Sequence, residues 1–318
     1  MNSFATSLSQ IKNLGDNDVY HWYLASSHPS TSTDPPNDSQ NATNGNGVTQ
    51  EASTSPNAPT LQPPDLKLNL IHPCTPQHIT KYTAQPVRFV TETPQIYTSH
   101  IRPYIERKRS QGRLNWVFNI LDGLTEQENV LYRSSSAKGS KEDDDFLLLP
   151  DLNWDRSTLG SLHLLALVER RDLWSLRDLK KRHVNWLRHM KSTLAGVVVS
   201  LYGKQQGGSA GAGAGDGGGA EEDGQEHGLD ADMLKFYVHY QPTYYHFHIH
   251  IVHVGLEAGA TQAVGKAIGL DSIISQLESM QGGDDVGMAD VDLSYTLGEA
   301  SELWTEIFLP LKQGRLSA

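Results

Sequence analysis

The chain has 318 residues, of which 37 % are hydrophobic, enough to form the cores of about two domains. Asp and Glu outnumber Lys and Arg by 37 to 26, and the resulting net charge of −11 argues against a long nucleic-acid polymer as partner, because binding many phosphates needs a basic surface. The single cysteine, Cys74, excludes an internal disulfide framework and a CxxC-type zinc site. The sequence shows neither the apolar core of a signal peptide nor a membrane-spanning run, and we therefore expect an intracellular enzyme or binding protein.

Two segments differ in composition from the rest of the chain. Residues 26–64 are rich in Ser, Thr, Asn and Pro, and residues 203–232 contain a Gly/Ala repeat followed by acidic residues. Neither segment has enough large apolar side chains to offset the entropy lost on ordering. We therefore expect a disordered linker at 26–64 and a flexible surface insertion at 203–232.

The first half of the chain predicts a small α+β domain. Thr75 and Pro76 are typical of a helix start, and an acidic run before Phe146 indicates a domain boundary. The remaining predictions are a strand at 87–93, a helix at 95–109 interrupted by Pro103, and strands at 115–121 and 129–134.

The second half predicts an α+β domain with an antiparallel sheet. Ser175 and Asp178 form an S-x-x-D pattern that predicts the start of a long helix ending near Tyr202. The other predicted elements are strands at 146–152, 162–171, 234–240, 244–255 and 292–297, and helices at 261–278 and 299–312. The predicted domains are thus residues 1–145 and 146–318.

Three histidines alternate with apolar residues near the end of the sheet sequence. Since successive side chains of a strand point to opposite faces, His246, His248 and His250 are predicted to share one face, with the apolar residues between them facing the core. This spacing suits a central nucleophile between two supporting imidazoles: a neutral imidazole can attack phosphorus, and a neighbouring imidazolium can protonate the leaving oxygen. His239 is predicted to lie near His246 on the adjoining strand.

Other interpretations of the histidines stay open at this point. Alternate histidines can be zinc ligands, although neither a second cysteine nor an obvious nearby carboxylate completes the coordination shell. They can also form a solvated strand face without a role. We predict no metal and no cofactor.

Several motifs resemble those of the scavenger mRNA-decapping enzymes, a branch of the histidine-triad superfamily. The segment HFHIHIV at 246–252 resembles the triad signature, and the resemblance extends from about Ile71 onward. The motifs that carry it are HPCTPQHITKY at 72–82, NWVFNILDGLTEQE at 115–128, LLPDLNW at 148–154, RRDLWSLRDL at 170–179 and YVHYQPTYYHFHIHIVHVGLEAG at 237–259.

The resemblance implies a role for each residue that matches a family motif. His248 matches the nucleophile, with His246 and His250 as its neighbours. The implied phosphate contacts are His239, Thr243, Tyr244, Lys266 in the following helix, and Lys81. The implied contacts to the 7-methylguanine nucleotide are Trp116 and Leu152 on the two faces of the base, Glu126 at its edge, and Asp151 and Asn153.

The chemistry of the base agrees with this set of residues, although each has an ordinary structural interpretation. Methylation makes the guanine cationic, so an indole face gains a cation–π term of about 0.5 to 2 kcal/mol. A carboxylate at Glu126 can accept from the base's N1 and N2 donors. On the residues alone, however, Trp116 is more typical of a core or interface aromatic, and Glu126 of a solvated charge.

Two departures from the family pattern are visible. The larger amino-terminal domain of relatives, which exchanges between subunits, is replaced here by the 26–64 linker, and Asn153 stands where relatives often carry Lys. A truncated, swapped amino-terminal domain is therefore expected.

The resemblance predicts a hydrolase acting on 7-methylguanosine-capped dinucleotides or short capped RNA, releasing 7-methylguanosine monophosphate through a covalent nucleotidyl-histidine. It predicts a homodimer without a membrane partner, located in the cytoplasm with the nucleus as a second compartment. The alternatives are a non-catalytic cap-binding protein and a triad hydrolase of another nucleotide.

Overall fold

A computed structural model describes residues 7–17, 20–27, 66–76, 78–79, 83–112, 114–134, 145–152, 154–203, 228–257 and 259–317. Most of the predicted linker and insertion, together with Lys81 and Asn153, lies outside these described residues. The chain divides into two compact units, residues 1–78 and residues 79–318. Within the described ranges, no helix is both long enough and apolar enough to cross a bilayer.

The first unit contains a three-stranded antiparallel sheet in the order β1-β2-β3, which the sequence analysis did not predict. Its strands are β1 (Ser9–Asn17), β2 (Tyr20–Ser26) and β3 (Leu66–Ile71). In the central strand β2, Trp22 and Ala25 are buried. The register of β1 against β2 shifts between Ser9 and Lys12 and again between Asn13 and Gly15, so β1 does not alternate regularly.

The second unit is built on a six-stranded antiparallel sheet and a two-stranded ribbon. The larger sheet has the order β10-β8-β9-β7-β6-β5, and the ribbon pairs β11 with β4. The strands are β4 (Val87–Glu92), β5 (Tyr132–Arg133), β6 (Phe146–Pro150), β7 (His163–Val168), β8 (Leu234–His239), β9 (His248–His253), β10 (Ala267–Gly269) and β11 (Leu293–Gly298). Strands β5 and β6 pair with each other across the boundary that the sequence predicts between residues 145 and 146.

Several helices in the described part of the second unit accompany these strands. Helix α1 covers 94–110 as Pro94–Ile96, a π turn at Tyr97–Ile101 and Arg102–Ser110, and α2 is Asn115–Leu121. Helix α3 is Val184–Tyr202, α4 is Leu270–Ser279, and α5 covers 304–312 as a π turn at Trp304–Phe308 and Leu309–Lys312. Short 3-10 turns occupy Gln127–Asn129, Leu159–Ser161, Leu176–Asp178, Lys181–His183, Ala231–Met233, Gly259–Gln262 and Met288–Asp290. The antiparallel sheets and helices confirm the predicted α+β class.

The two faces of the large sheet carry different cores. On one face, alternate residues of β6, β7 and β9, such as Leu148, Ala166 and Ile249, join a large core with α1, α3, α4 and α5. On the other face, Leu147 and Leu167 pack under α2 in a smaller core. The residues of this second face belong to the same alternation as the triad, so the smaller core borders the candidate site.

The predicted strand at 115–121 is wrong, because this segment forms α2. Val117, Ile120 and Leu121 are its buried residues, and their i, i+3, i+4 spacing places them on one side of a helix. The short apolar run fitted both periods, and the helical one is realised.

The long helix that was predicted to begin at Ser175 begins at Val184. Ser175 and Asp178 do form a reciprocal capping box, but it closes a single 3-10 turn. Leu179 then becomes extended, and Lys180 pairs with Gly287 in an isolated bridge. The S-x-x-D pattern thus marks a real cap, but the cap belongs to the 3-10 turn and not to the long helix.

Two further boundaries differ from the prediction. Strand β9 begins at His248, so His246 lies just before it. The predicted helix at 261–278 is shortened to α4, because Gly265 has a left-handed φ of 80° and residues 267–269 pair with β8 as β10. Lys266 consequently precedes a strand and is not in a helix. Pro103, the predicted interruption of α1, is the second residue after its π turn.

Candidate active site

The three histidines of the triad lie on the sheet face that α2 partly covers. In the register of β7 against β9, His248 pairs with Leu167 and His250 with Leu165, and both leucines belong to the smaller core. The ring of His246, before the strand, packs edge-on against Phe118 of α2 at 5.9 Å. All three imidazoles therefore face the same side, as their spacing predicts.

His248 is buried and its tautomer is determined by the backbone. Its Nδ1 lies 2.7 Å from the carbonyl oxygen of His246. Because a carbonyl can only accept, Nδ1 must carry the proton, and Nε2 keeps its lone pair. Burial lowers the pKa of His248 to about 3. At neutral pH this side chain is thus a neutral imidazole with an unprotonated Nε2.

The flanking histidines are neutral as well. Burial lowers the pKa of His246 to about 4 and holds the pKa of His250 well below its usual value. His246 donates from Nε2 to the carbonyl oxygen of Val168 at 2.8 Å. The imidazolium that the sequence analysis placed beside the nucleophile is therefore not a state of the ligand-free site. Desolvation, which penalises the charged form, is the largest cause in each case.

His239 lies beside His250 and not beside His246, which corrects the predicted neighbour. The centroids of the two rings are 4.3 Å apart, because Tyr237 of β8 pairs with His250 of β9. The Nε2 of His239 donates to the carbonyl oxygen of Thr261 at 2.8 Å. Burial, with a further contribution from Lys266, lowers the pKa of His239 to about 4.

The turn after β8 brings the other predicted phosphate contacts close to the triad. The ring of Tyr244 stacks on His248, with centroids 4.3 Å apart and planes 18° apart. Thr243, one residue earlier, is exposed. Lys266 donates from Nζ to the carbonyl oxygen of Gln241 at 2.5 Å, which holds its ammonium group at this turn.

The residues predicted to bind the base come from two parts of the second unit, α2 with the segment after it and the end of β6. Trp116 of α2 is half-buried and packs edge-on against Tyr244 at 4.9 Å, so one aromatic ring separates it from His248. Glu126 is half-buried in a left-handed conformation, and burial raises its pKa. Asp151 and Leu152 follow the end of β6 and are also half-buried. The pairing of Leu152 with Trp116 around a base stays a prediction.

Sequence reasoning missed two residues on this face. His163 begins β7, and its Nε2 lies 3.0 Å from Nδ1 of His250 and 3.7 Å from Oδ2 of Asp151. Tyr237 of β8 stacks on His250 with planes 11° apart. Both occupy the outward positions of strands whose alternate residues are in the core, and that alternation was the signal that could have found them.

Several buried polar atoms of the site have no hydrogen-bond partner among the described residues. They are Tyr244 Oη, Tyr237 Oη, His246 Nδ1 and His250 Nε2. Buried polar groups are otherwise nearly always paired. Such a concentration on one sheet face is typical of a surface that binds a polar ligand.

Two family models match this chain. The family model described as scavenger mRNA decapping enzyme C-term binding matches residues 115–265, and the scavenger mRNA decapping enzyme (DcpS) N-terminal model matches residues 1–85. The m7GpppX diphosphatase of Schizosaccharomyces pombe is 31 % identical over 299 residues, which cover 94 % of this chain and 77 % of that protein.

Animal proteins of the same name are similar over a shorter range. The m7GpppX diphosphatase of Ascaris suum is 34 % identical over 214 residues, covering 67 % of this chain and 60 % of that protein. The human protein of this name is 30 % identical over 220 residues, covering 69 % and 56 %. The chain thus spans little more than half the length of these animal relatives.

Proposed function

The chain belongs to the scavenger mRNA-decapping enzyme family, and from this premise we propose that it hydrolyses the 5′-5′ triphosphate of 7-methylguanosine-capped dinucleotides and short capped oligonucleotides. The products are 7-methylguanosine monophosphate and a remainder that ends in a diphosphate. Relatives that are 30 to 34 % identical bear the name m7GpppX diphosphatase, which supports this substrate. A homodimeric state and a cytoplasmic or nuclear location stay predictions.

The observation that carries the proposal is the tautomer of His248. With Nδ1–H bound to a backbone carbonyl at 2.7 Å and the ring neutral, Nε2 is available for attack without a separate base. Nε2 forms a bond to the phosphorus that bears the methylated nucleoside, and the bond from that phosphorus to the bridging oxygen breaks. Water then attacks the nucleotidyl-histidine, releases the monophosphate and regenerates the imidazole.

The leaving diphosphate needs charge neutralisation and a proton. His239, Thr243, Tyr244 and Lys266 are the proposed phosphate ligands; Lys81, outside the described residues, is proposed on the resemblance alone. Burial keeps the pKa of Tyr244 well above its usual value, so its unpaired hydroxyl stays a donor. The negative charge of a bound triphosphate favours the protonated form of nearby imidazoles, so we expect substrate binding to raise the pKa of His250 or His246 and thus supply the acid.

The methylated base is proposed to bind beside this centre. Trp116 and Leu152 supply the two faces of the slot, and Glu126 accepts from the edge of the base. Asp151 is the proposed contact to the same nucleotide, and Asn153, outside the described residues, stands where relatives often carry Lys. The Tyr244 ring contacts both Trp116 and His248, which supports binding of the base next to the phosphate that reacts.

Replacing His248 by Asn tests the proposed reaction. The amide is too weak a nucleophile to form the covalent intermediate, so turnover of a capped dinucleotide should fall below detection while a cap analogue still binds. His189→Gln, at an exposed position of α3, is the matched control and should keep wild-type turnover. Thin-layer chromatography of the products gives the measurement.

Turnover in this assay, together with the affinities for cap analogue and guanosine ligands, separates the proposal from its alternatives. Normal turnover by His248→Asn would contradict the nucleophile assignment. A wild-type protein that binds the cap analogue without cleaving the dinucleotide would be a cap-binding protein. Equal affinity for methylated and unmethylated guanosine ligands would point to another nucleotide substrate.

A further inference from the structure

Three adjacent strands bring a carboxylate and two imidazoles together at one edge of the candidate site. Asp151 follows β6, His163 begins β7, and His250 lies in β9. Nε2 of His163 is 3.0 Å from Nδ1 of His250 and 3.7 Å from Oδ2 of Asp151. The three potential ligand atoms all lie within 4.8 Å of one another.

Two of these separations are close to the edge length of a zinc coordination tetrahedron. With metal-to-ligand distances of about 2.0 to 2.2 Å, neighbouring ligand atoms around Zn²⁺ are about 3.4 Å apart. The two measured contacts, 3.0 and 3.7 Å, lie on either side of that value. The third pair, Asp151 and His250, also lies within 4.8 Å, so side-chain adjustments within the cluster would place a metal ion between the three groups. Two imidazoles and one carboxylate are also among the ligand sets that zinc uses with a fourth position left open.

The cluster is enclosed by the protein to a degree that favours a specific site over casual surface binding. His250 is buried, and the side chains of His163 and Asp151 are only 12 % and 15 % exposed. The strand ladder fixes the two histidines, since Leu165 pairs with His250 and His163, two residues earlier, lies on the same face. The backbone N–H of Asp151 donates to the carbonyl oxygen of His163 at 2.9 Å. The ligands therefore need little reorganisation before binding.

We propose that Asp151, His163 and His250 bind Zn²⁺ and that zinc at this site inhibits the hydrolase. The inhibition, though not the binding, rests on the proposed function, in which Asp151 and His250 serve the substrate. A metal ion coordinated by both side chains withdraws the Asp151 carboxylate from the nucleotide and fixes the His250 ring through Nδ1. Zinc is thus an antagonist of the reaction and not a participant in it.

Direct metal binding provides the first test and needs no turnover. Zn²⁺ binding is measured by calorimetry, and Co²⁺ is used as a spectroscopic probe whose visible absorption intensifies in four-coordinate sites. All proteins carry Cys74→Ser, because this exposed thiol can also bind zinc. The variants are His163→Phe and Asp151→Asn, and His253→Gln at the end of the same strand is the matched control.

Removal of one ligand should weaken zinc binding by at least about 10-fold, since loss of even an outer-shell partner typically costs about 10- to 100-fold. We expect this loss, together with the loss of the intense Co²⁺ band, in His163→Phe and Asp151→Asn but not in His253→Gln. Equal zinc affinity in the wild type and in folded His163→Phe would overturn the inference. Circular dichroism checks folding, and His163→Gln replaces the phenylalanine variant if that variant does not fold.

Inhibition provides the second test. Zinc should stop cleavage of a capped dinucleotide by the wild type, and a chelator should restore the zinc-free rate. In His163→Phe, measured against its own zinc-free rate, inhibition should need at least about 10-fold more zinc. Inhibition at the same zinc concentration in both proteins contradicts the site, whereas absence of cleavage even with chelator contradicts the proposed function and leaves the binding result to stand by itself.

Discussion

At the scale of single residues, the site depends on which atoms the backbone engages. The carbonyl oxygen of His246 binds Nδ1 of His248, and the carbonyl oxygen of Val168 binds Nε2 of His246. The two histidines therefore keep their lone pairs on opposite ring nitrogens, Nδ1 in His246 and Nε2 in His248. The alternation of the sequence predicts that the rings share a face, but these hydrogen bonds depend on where β9 begins, and that boundary was not predicted.

Trp116 is the residue at which a structural and a functional interpretation are most evenly matched. Its indole packs against Tyr244 at the border of the smaller core, yet it is half-buried and so keeps part of its surface available. A tryptophan needed only for the core would be closed in on both faces. The remaining exposure supports the proposed stacking on a cationic base.

Trp116→Ala should weaken binding of a 7-methylguanosine cap analogue by about 10-fold or more, since base stacking on an aromatic is worth about 1 to 3 kcal/mol and the cation–π part adds to it. An unmethylated guanosine ligand should lose less, because it lacks the positive charge. Fluorescence titration gives both dissociation constants. Trp116→Phe should retain much of the affinity, and an unchanged constant in the alanine variant would remove the base slot from the proposal.

At the scale of secondary-structure elements, a buried polar network fixes the turn that carries the proposed phosphate ligands. Glu92 at the end of β4 and Arg177 in a 3-10 turn form an ion pair at 2.8 Å with both side chains fully buried. The same carboxylate accepts from Tyr240 at 2.6 Å and from Tyr295 of β11 at 2.5 Å. Gln241, whose carbonyl binds Lys266, donates to Glu92 as well, at 3.1 Å.

Glu92→Gln should lower the free energy of unfolding by about 3 to 5 kcal/mol, because it leaves the buried Arg177 guanidinium without a compensating charge. Glu299→Gln is the matched control, since Glu299 pairs with Arg88 at the surface and such pairs contribute at most about 1 kcal/mol. Urea unfolding followed by circular dichroism measures both. Equal losses in the two variants would show that the buried network contributes no more to the free energy of unfolding than a surface ion pair.

An element was predictable from the sequence where the residues that determine it lie within one segment of the chain. Strands β4, β8 and β11 and helix α1 follow from strand or helix patterns within one segment, and β6 and β7 follow from short, continuously apolar runs. The strand predicted at 115–121 failed because seven residues fit either period and the choice is made by the sheet face that α2 covers. Lys266 was misplaced because β10 exists only through its pairing with β8. The contact of His163 with His250 likewise needs the order of β7 and β9, which no local pattern contains.

At the scale of the whole molecule, the net charge is negative, whereas basic side chains act on the histidines of the site. The chain carries a net charge of −11, yet Lys266 acts on His239 and His250, and Arg109 and Arg171 act on His246. A local positive potential can attract a short polyphosphate even when the surface as a whole repels long nucleic acid. This distribution agrees with the proposed preference for short capped substrates.

The buried neutral histidines also couple the stability of the fold to pH. In the folded protein the pKa of His248 is about 3 and that of His246 about 4, compared with about 6.5 for the unfolded chain. Below pH 6.5 the unfolded chain therefore binds more protons than the folded one. By linkage, the contribution of these two histidines to the free energy of unfolding is fully present above pH 6.5 and falls as the pH decreases toward 4.

The contribution of His248 can be isolated with the variant that tests catalysis. Each such histidine lowers the free energy of unfolding by at most about 1.4 kcal/mol per pH unit. Urea unfolding at pH 7.5, 6.0 and 5.0 should show a decline between pH 6.0 and 5.0 that is shallower by about 1 kcal/mol in His248→Asn than in the wild type, because the amide does not titrate. Parallel declines in the two proteins would mean that His248 is protonated in the folded state at these pH values, and the argument for a neutral nucleophile would then fail as well.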